Sequence, residues 1–379
     1  MDTFYSKSRQ RSVMCILAVC NAGALLAAAS LVLVLNPEDR ISVRRGGALT
    51  LLGLVYFTSL SELLNALALG TGAGARLRHK YRLTAGDVLD ITNKLVSAVQ
   101  AALSCAAGAV VCAWSCARDF LRTSHFASEA YAWFGAAYFF YDIWSMYMVY
   151  VHMHTGVEHI KSKLRRPAKN GSAALSAGDG GGAAGAAGAG AGGGGGGAAA
   201  GAGRRARISF LQYCRYEPVI LMHHVFIGGF GFLVIVYLRG GLGDCVFGAV
   251  YLMELSTPFV SLRGVLSRLR LKASRLYVAN GLLMLATFAA CRVLALPYLC
   301  LVYSRTLNVT YVEAIRSLPT GCKVSISLLL LPQLYWFYLM CAGAVKVLLP
   351  ARRPAPAPAT PAPTPAPAPG EGVAAGDAR

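Results

Sequence analysis

The sequence predicts an all-α protein, a polytopic membrane helix bundle with about eight transmembrane helices. Of its 379 residues, 56% are hydrophobic and only 14% are charged, whereas soluble domains carry about 25% charged residues. Hydrophobic stretches of about 20 residues recur along the chain. Each is long enough to cross a bilayer as a helix that satisfies its own backbone hydrogen bonds. The composition therefore excludes a soluble globular enzyme.

Eight apolar stretches are the predicted spans. They cover about residues 13–35, 47–70, 91–115, 131–152, 218–238, 241–262, 278–303 and 323–349. The first is too long for the core of a cleaved signal peptide and is followed by charged residues, so we expect a signal anchor. Only Arg239 and Gly240 separate the fifth and sixth spans, which predicts a tight antiparallel hairpin. Glu62 and Asn65 lie within the second span and leave its full insertion open.

Positive charge is distributed unevenly between the two sides of the predicted bundle. The chain has 36 basic and 17 acidic residues, a net charge of +19. The N-terminus, the even-numbered connections and the C-terminal tail hold 24 of the 36 basic residues, and the odd-numbered connections hold 8. This alternation is the positive-inside pattern. It predicts that both termini lie in the cytosol, and it accounts for the charge without a nucleic-acid partner.

Two segments have a composition that disfavours folding. From residue 171 to residue 203, 29 of 33 residues are Gly or Ala, so we expect a flexible cytosolic insert over residues 170–203. Residues 350–379 are rich in Pro and Ala, which is typical of an extended, disordered tail. Glycosylation sequons begin at Asn170, on the predicted cytosolic side, and at Asn308, in the predicted lumenal connection after the seventh span.

A few ionisable residues lie within the predicted spans, where such residues usually face the bundle interior. They are Lys94, Asp142, His223, His224, Asp244, Glu254 and Arg292. At a rise of about 1.5 Å per residue, Glu254 and Arg292 both lie near the bilayer midplane, and we expect an ion pair between them. The role of this pair is either functional or confined to helix packing. Pro258 follows on the same helix and predicts a kink beside the acid.

The adjacent His223 and His224 point about 100° apart on a helix, so one can face a cavity while the other packs or orients it. A histidine here suits a general base or an acyl acceptor, and buried hydrogen bonding is the alternative. The seven histidines form no His-x-x-His-His box of the membrane di-iron enzymes. A wet surface cluster is the favoured interpretation of His152, His154 and His159, so no metal is predicted. The 11 cysteines contain no Cys-x-x-Cys pair and are interpreted as packing residues.

Seven short motifs follow one another along most of the chain. They are KLVSAVQ at 94–100, YDI at 141–143, HH at 223–224, GD at 243–244, ELSTPFV at 254–260, CRVL at 291–294 and PQLYWF at 332–337. In type and order they resemble the TLC domain, the family of the ceramide synthases and translocation-associated membrane proteins. The small ceramide-synthase-like TLC-domain-containing proteins of subgroup 3 look most similar. The resemblance implies a TLC domain over residues 87–349 with a core of six helices, preceded by an extension over residues 1–86 with two predicted spans.

The resemblance implies a multi-pass protein of the endoplasmic-reticulum membrane, or of the Golgi, that acts in sphingolipid metabolism. Ceramide synthases transfer an acyl group from acyl-coenzyme A to the amine of a sphingoid base, so acyl-coenzyme A is a co-substrate and no cofactor is bound permanently. The implied catalytic residues are His223, His224, Glu254 and Asp244, and the implied substrate-binding residues are Asp142, Lys94 and Arg292. The expected partners are membrane lipids, the sphingoid base, acyl-coenzyme A, and a second TLC-domain chain in a homodimer or heterodimer.

The sequence departs from the synthases at one motif. They close it with a His-Asp step and a further Asp, whereas here Glu254 is the single acid of residues 253–256. Asp244 is a candidate substitute, although it is predicted on the far side of the membrane from His223. A second hypothesis is therefore a non-catalytic TLC-domain protein that binds or regulates membrane lipids, in ceramide or phospholipid homeostasis. A transporter or cargo receptor is a third, and it lacks the support of a visible inverted repeat.

Overall fold

The computed structural model describes residues 2–164 and 208–348, and within these residues all regular structure is helical. The predicted insert at 170–203 and the predicted tail at 350–379 lie outside the described residues.

Thirteen α-helices make up the described chain, some of them continued by short turns of other helix types. The first six are α1 (Asp2–Val32), α2 (Val43–Gly70), α3 (Gly72–Tyr81), α4 (Ala85–Ser115), α5 (Phe126–Leu164) and α6 (Phe210–Tyr216). Then come α7 (Pro218–Val225) with π-helical turns Phe226–Gly231 and Val234–Leu238, α8 (Asp244–Leu252) with the 3-10 turn Met253–Ser256, and α9 (Thr257–Arg268). The last are α10 (Arg275–Phe288) with the π-helical turn Ala289–Leu294, α11 (Ala295–Leu307), α12 (Tyr311–Ser317) and α13 (Thr320–Leu348).

Seven segments of the described chain are long and apolar enough to cross a membrane. They are Ser8–Val32, Val43–Gly70, Ala85–Ser115, Pro218–Leu238, Asp244–Arg268, Arg275–Leu307 and Thr320–Lys346. These correspond to seven of the eight predicted spans, so the prediction of a polytopic helix bundle is confirmed. The remaining predicted span, the fourth, at residues 131–152, lies in α5, where Asp142 and many Tyr and Trp residues lower the hydropathy.

Helix α5 runs antiparallel to α4 along the whole of that span. Near one end of the pair, the Gln100 side-chain amide donates to the Tyr131 hydroxyl over 2.9 Å. Near the other end, Gly86 at the start of α4 abuts Met153 of α5. Helix α5 therefore packs beside a candidate membrane span over this length, and its own crossing of the bilayer stays a prediction.

An aromatic cluster joins the N-terminal extension to α5. Phe57 of α2 is fully buried, and its ring centroid lies 5.6 Å from that of Phe134 and 5.4 Å from that of Tyr138. Gly53, one turn earlier, lets the α2 backbone approach the Phe134 carbonyl closely. Aromatic rings at these separations contribute beyond the area that they bury. The extension is consequently part of the same packed core as α5.

A disulfide between Cys116 and Cys245 ties the end of α4 to the start of α8. The end of the bundle that holds this bond is called the disulfide end below, and the end where α7 begins is called the histidine end. The interpretation of all cysteines as packing residues is wrong for this pair. The two residues are 129 positions apart, so no local spacing signals their contact.

Three of the spanning segments are interrupted near mid-length. The 3-10 turn Met253–Ser256 stands directly before α9, whose first turn holds Pro258, so the helix type changes beside Glu254, where the sequence predicts a kink. The π-helical turn Ala289–Leu294 contains Arg292, and two more follow α7. Irregular backbone at membrane depth is tolerated where it lines a cavity or lies within protein. These interruptions surround the site described next.

Candidate functional site

A cavity of about 690 Å³ lies among α4, α5, α8, α11, α13 and the π-helical turns that follow α7. Its volume falls in the range of small-molecule sites, and its lining is mostly apolar. The polar or charged residues of the lining are Gln100, Ser104, Tyr131, Arg239, Tyr251, Glu254, Arg292, Tyr303, Ser325 and Gln333. The cavity extends from Glu254 and Arg292 to Leu121 and Pro319 in the connections at the disulfide end. A long apolar chain therefore fits between these limits.

Glu254 and Arg292 form the expected ion pair, with 3.0 Å between Glu254 Oε2 and Arg292 Nη2. Arg292 also donates from Nε to Ser256 Oγ over 2.8 Å and from Nη2 to Thr257 Oγ1 over 2.7 Å. The Thr257 hydroxyl in turn donates to Glu254 Oε2 over 2.5 Å. The Glu-x-Ser-Thr sequence thus supplies both the acid and the hydroxyls that hold the arginine.

Gln333 of α13 completes this cluster. Its Oε1 accepts from Arg292 Nη1 over 3.5 Å, and the side chain is 0% exposed. Its Nε2 has no hydrogen-bond partner among the described residues. The predicted site residues do not include Gln333, and its place in the PQLYWF motif is the one sequence signal that could have revealed it. The groups at this end of the cavity are called the polar cluster below: Glu254, Ser256, Thr257, Arg292 and Gln333.

His224 is held at both ring nitrogens. Its Nε2 lies 2.8 Å from Asp142 Oδ2, and its Nδ1 lies 2.7 Å from the carbonyl oxygen of Ile220. Because a carbonyl only accepts, Nδ1 is the donor to Ile220, and the contact of Nε2 with the Asp142 carboxyl group requires a hydrogen on one of those two atoms. The side chain of Asp142 is 4% exposed, and its Oδ1 has no hydrogen-bond partner in the described part of the chain.

His223 faces a different environment. Its ring meets Trp336 edge-on at 5.0 Å between centroids and lies at 90° to the His224 ring, 5.9 Å away. The described residues give its ring nitrogens no hydrogen bond, and Glu254 and Arg292 are charged neighbours. The two rings point in different directions, as predicted, but the expectation that one of them faces a cavity is not met by the cavity described above. Trp336 was not among the predicted site residues.

Neither histidine lines the cavity, whose lining on this segment starts at Phe226. Phe226 follows His223 by three residues, a rise of about 4.5 Å along the helix. Phe139 connects the two regions, since it lines the cavity and packs edge-on against His224 at 5.9 Å between ring centroids. The histidine pair thus stands at the edge of the cavity nearest the histidine end.

Asp244 lies at the disulfide end, as the sequence predicts, and is fully buried. Its Oδ2 accepts from the backbone N–H of His125 over 2.5 Å, and its Oδ1 pairs with Arg239. Arg239 also donates to Ser128 Oγ over 2.6 Å. Both carboxylate oxygens of Asp244 are therefore occupied, and no contact within the described residues joins it to His223.

Lys94 is likewise separate from the histidines. Its Nζ lies 2.7 Å from Asp90 Oδ1, and the other oxygen of Asp90 accepts from Arg268 Nε over 2.5 Å. Arg268 reaches Asp87 as well, at 3.4 Å. These contacts join α4 to α9 at the histidine end, and a substrate-binding role for Lys94 stays a prediction.

The two histidines of α5 whose side chains are described, His152 and His154, contact the backbone of their own helix. Nδ1 of His152 and of His154 lies 2.8 Å and 2.9 Å from the backbone carbonyl four residues earlier. The side chain of His159 lies outside the described residues. Within the residues that the structure covers, no group of three His, Cys, Asp or Glu side chains is arranged to hold a metal ion.

Comparison with known proteins identifies the family. No solved structure matches this chain. The family model of the TLC domain matches residues 90–342, about two thirds of the chain, from the first turns of α4 into α13. The matched region contains the cavity, the polar cluster and both histidines, and it indicates a function connected with membrane lipids. The chain is thus a multi-pass membrane protein, and it belongs to the TLC domain family.

Proposed function

We propose that this protein is a membrane acyltransferase that forms ceramide by joining the acyl group of acyl-coenzyme A to the amine of a sphingoid base. The observation that carries the proposal is the difference in hydrogen bonding between the adjacent histidine rings. His224 is fixed through Asp142 and the Ile220 carbonyl, whereas His223 keeps its ring nitrogens unbonded among the described residues. A fixed imidazole beside a free one suits a general base with an orienting neighbour.

In the proposed reaction, the amine nitrogen attacks the thioester carbonyl carbon while His223 accepts a proton from that nitrogen. The carbon–sulfur bond breaks, and the protonated His223 returns its proton to the departing thiolate. The products are the amide and free coenzyme A, so atoms and charge balance. His224 and Asp142 position His223 rather than contact the reacting atoms. In the alternative path, the His223 ring itself takes the acyl group before the amine attacks.

The cavity supports this arrangement because its apolar lining begins one helical turn beyond His223. A thioester beside His223 would direct its acyl chain into the cavity, towards the disulfide end. The coenzyme portion would remain at the histidine end, where the connection between α9 and α10 carries Arg270 and Lys272. Basic side chains there suit the phosphates of the co-substrate.

Replacement of His223 tests the proposal. The purified protein is assayed with a labelled sphingoid base and acyl-coenzyme A of several chain lengths. We expect His223→Ala to lower turnover at least about 100-fold, the minimum effect typical of a lost general base. His152→Ala is the matched control, because that ring bonds only its own helix among the described residues. Equal turnover in His223→Ala and wild type, with unchanged thermal unfolding, would remove the catalytic assignment.

A second candidate function is non-catalytic binding or regulation of membrane lipids. The observation that favours it is the cavity lining, which includes Glu254, Arg292 and Gln333 but neither histidine. A protein that only binds lipid needs the cavity and the polar cluster, and does not need a free imidazole. Wild-type protein that binds ceramide or phospholipid yet turns over no acyl-coenzyme A of any chain length would favour this function.

We also propose that the histidine end faces the cytosol and that the protein resides in the endoplasmic reticulum, with both termini cytosolic. The alternation of basic residues supports this orientation. The Cys116–Cys245 disulfide supports it independently, because it lies at the opposite end and such bonds persist in oxidising compartments such as the lumen.

The two sequons test this orientation. Asn308 is exposed just beyond α11, at the end of a 33-residue helical segment. That segment is about 50 Å long, against a hydrocarbon core of about 30 Å, so the segment is long enough for Asn308 to stand clear of the bilayer. We expect a glycosidase-sensitive mass shift that is lost in Asn308→Gln and retained in Asn170→Gln. Loss of the shift in Asn170→Gln instead would reverse the orientation.

A further inference from the structure

The structure assigns to Glu254 and Gln333 a binding site for a hydroxyl group of the lipid that enters the cavity. The inference deepens the proposed function and rests on it for the identity of that lipid, a sphingoid base, which carries hydroxyls next to its amine. The site consists of one hydrogen-bond donor and one acceptor that the polar cluster leaves unused.

The unused donor is the side-chain amide of Gln333. Its Oε1 is turned towards Arg292 Nη1, which fixes the orientation of the amide. The Nε2 is then left without a partner among the described residues, although the side chain is 0% exposed and the residue lines the cavity. A buried donor without a partner costs about 1–3 kcal/mol. A ligand oxygen in the cavity would remove that cost.

The unused acceptor is Oε1 of Glu254. Arg292 and Thr257 both contact Oε2, and no described residue donates to Oε1. The Glu254 side chain is 28% exposed, and the residue lines the cavity, so this oxygen is open to a ligand. Together, Glu254 and Gln333 offer one acceptor and one donor at the polar end of an apolar cavity.

Charge selects the chemical group that this site accepts. Arg292 neutralises Glu254, so the polar cluster carries no net charge that would favour a carboxylate, a phosphate or an ammonium group. The matching group is neutral, donates one hydrogen bond and accepts another. A hydroxyl does both.

Helix α13 places this site next to the proposed catalytic histidine. Gln333 and Trp336 are three residues apart and therefore share one face of the helix, with about 5–6 Å between their β-carbons. Gln333 contacts Arg292, and Trp336 packs on the His223 ring. A base whose amine meets His223 can consequently reach Glu254 and Gln333 with a hydroxyl on an adjacent carbon.

Equilibrium binding without acyl-coenzyme A tests the site separately from catalysis. Purified protein in nanodiscs binds tritiated sphinganine, which is displaced either by sphinganine or by 2-aminooctadecane, an amine of equal chain length without hydroxyls. We expect wild type to bind sphinganine about tenfold more tightly, the effect of one to two hydrogen bonds. Equal binding of the two amines overturns the inference.

Two substitutions of Gln333 identify the donor. Gln333→Glu keeps an oxygen for Arg292 and removes the N–H donor, and Gln333→Met removes both. Because Oε1 of Glu254 still accepts from the ligand, we expect either variant to reduce the preference for sphinganine without abolishing it. If Gln333→Glu unfolds at the same temperature as wild type and keeps the full preference for sphinganine, the inference is overturned. Gln100→Leu is the control, because the Gln100 amide already donates to Tyr131, and we expect it to affect both amines alike.

Two further measurements separate the remaining outcomes. His223→Ala removes neither Glu254 nor Gln333, so it should retain the preference for sphinganine. The hydroxyl site can therefore be correct even if the protein does not catalyse the proposed acyl transfer. The N-acetyl derivative of 2-aminooctadecane presents an amide in place of the hydroxyls. If this derivative binds as tightly as sphinganine, the site recognises amides and the assignment to a hydroxyl is wrong.

Discussion

Two buried aspartates at opposite ends of the bundle differ in how fully their oxygens are used. Asp244, at the disulfide end, pairs with Arg239 through one oxygen and accepts the His125 backbone N–H with the other. Asp142, at the histidine end, uses one oxygen for His224 and has none of the described residues bonded to the other. A buried carboxylate whose two oxygens both have hydrogen-bond partners holds helices together. A buried carboxylate with one unbonded oxygen, which holds the histidine next to a free imidazole, suits a positioning role in a reactive site.

The largest expected effect on stability comes from breaking the filled pair. Asp244→Ala leaves Arg239 buried without its partner, and the loss of one member of a buried pair costs about 3–5 kcal/mol. Asp142→Ala leaves a histidine, which can become neutral, and should destabilise the fold less while reducing turnover. Chemical unfolding of both variants in detergent micelles measures the difference. If Asp142→Ala is the less stable variant, the comparison fails.

Loss of the disulfide is the next largest effect. Removal of a native cross-link typically costs about 2–4 kcal/mol, so Cys116→Ser should unfold at a lower temperature than wild type. A reductant should lower the unfolding temperature of wild type and leave that of Cys116→Ser unchanged. Cys300→Ser, which alters a free cysteine of the cavity lining, is the matched control and should keep the response of wild type. A wild type that does not respond to reductant would contradict this prediction.

The smallest expected effect is a pH dependence at the disulfide end. His125 precedes α5, and its Nδ1 accepts the Ala127 N–H over 3.1 Å, which requires the unprotonated nitrogen. Burial lowers the pKa of His125, although nearby Asp244 partly offsets this. His125 therefore binds a proton more readily in the unfolded chain than in the folded protein. The part of the folding stability that depends on neutral His125 is lost as pH falls below about 6.5, the pKa of a histidine in an unfolded chain.

Thermal unfolding at pH 7.5 and 5.5 measures this loss. His125→Asn keeps a side-chain oxygen that can accept the Ala127 N–H but cannot take up a proton in this range. We expect a smaller decline in unfolding temperature for His125→Asn than for wild type. An equal decline would assign the pH dependence to other groups.

The sequence predicted the Glu254–Arg292 pair because depth along two antiparallel helices is a matter of counting residues. It also predicted that the two histidines face different ways, since adjacent helical residues always do. It did not predict the roles of Gln333 and Trp336. Neither is charged, and their importance comes from contacts with Arg292 and His223 on other helices.

By itself, the sequence determined the class of the molecule. Apolar runs and the placement of 24 of 36 basic residues are local properties of the chain; the runs identify a multi-pass helical protein, and the basic residues predict which connections share one side of the membrane. Only the tertiary structure decided which histidine is held, which aspartate has an open position and which cysteines are joined. The physical reason is that a side chain has a limited number of hydrogen-bond positions, and whether each is filled depends on neighbours far away in sequence.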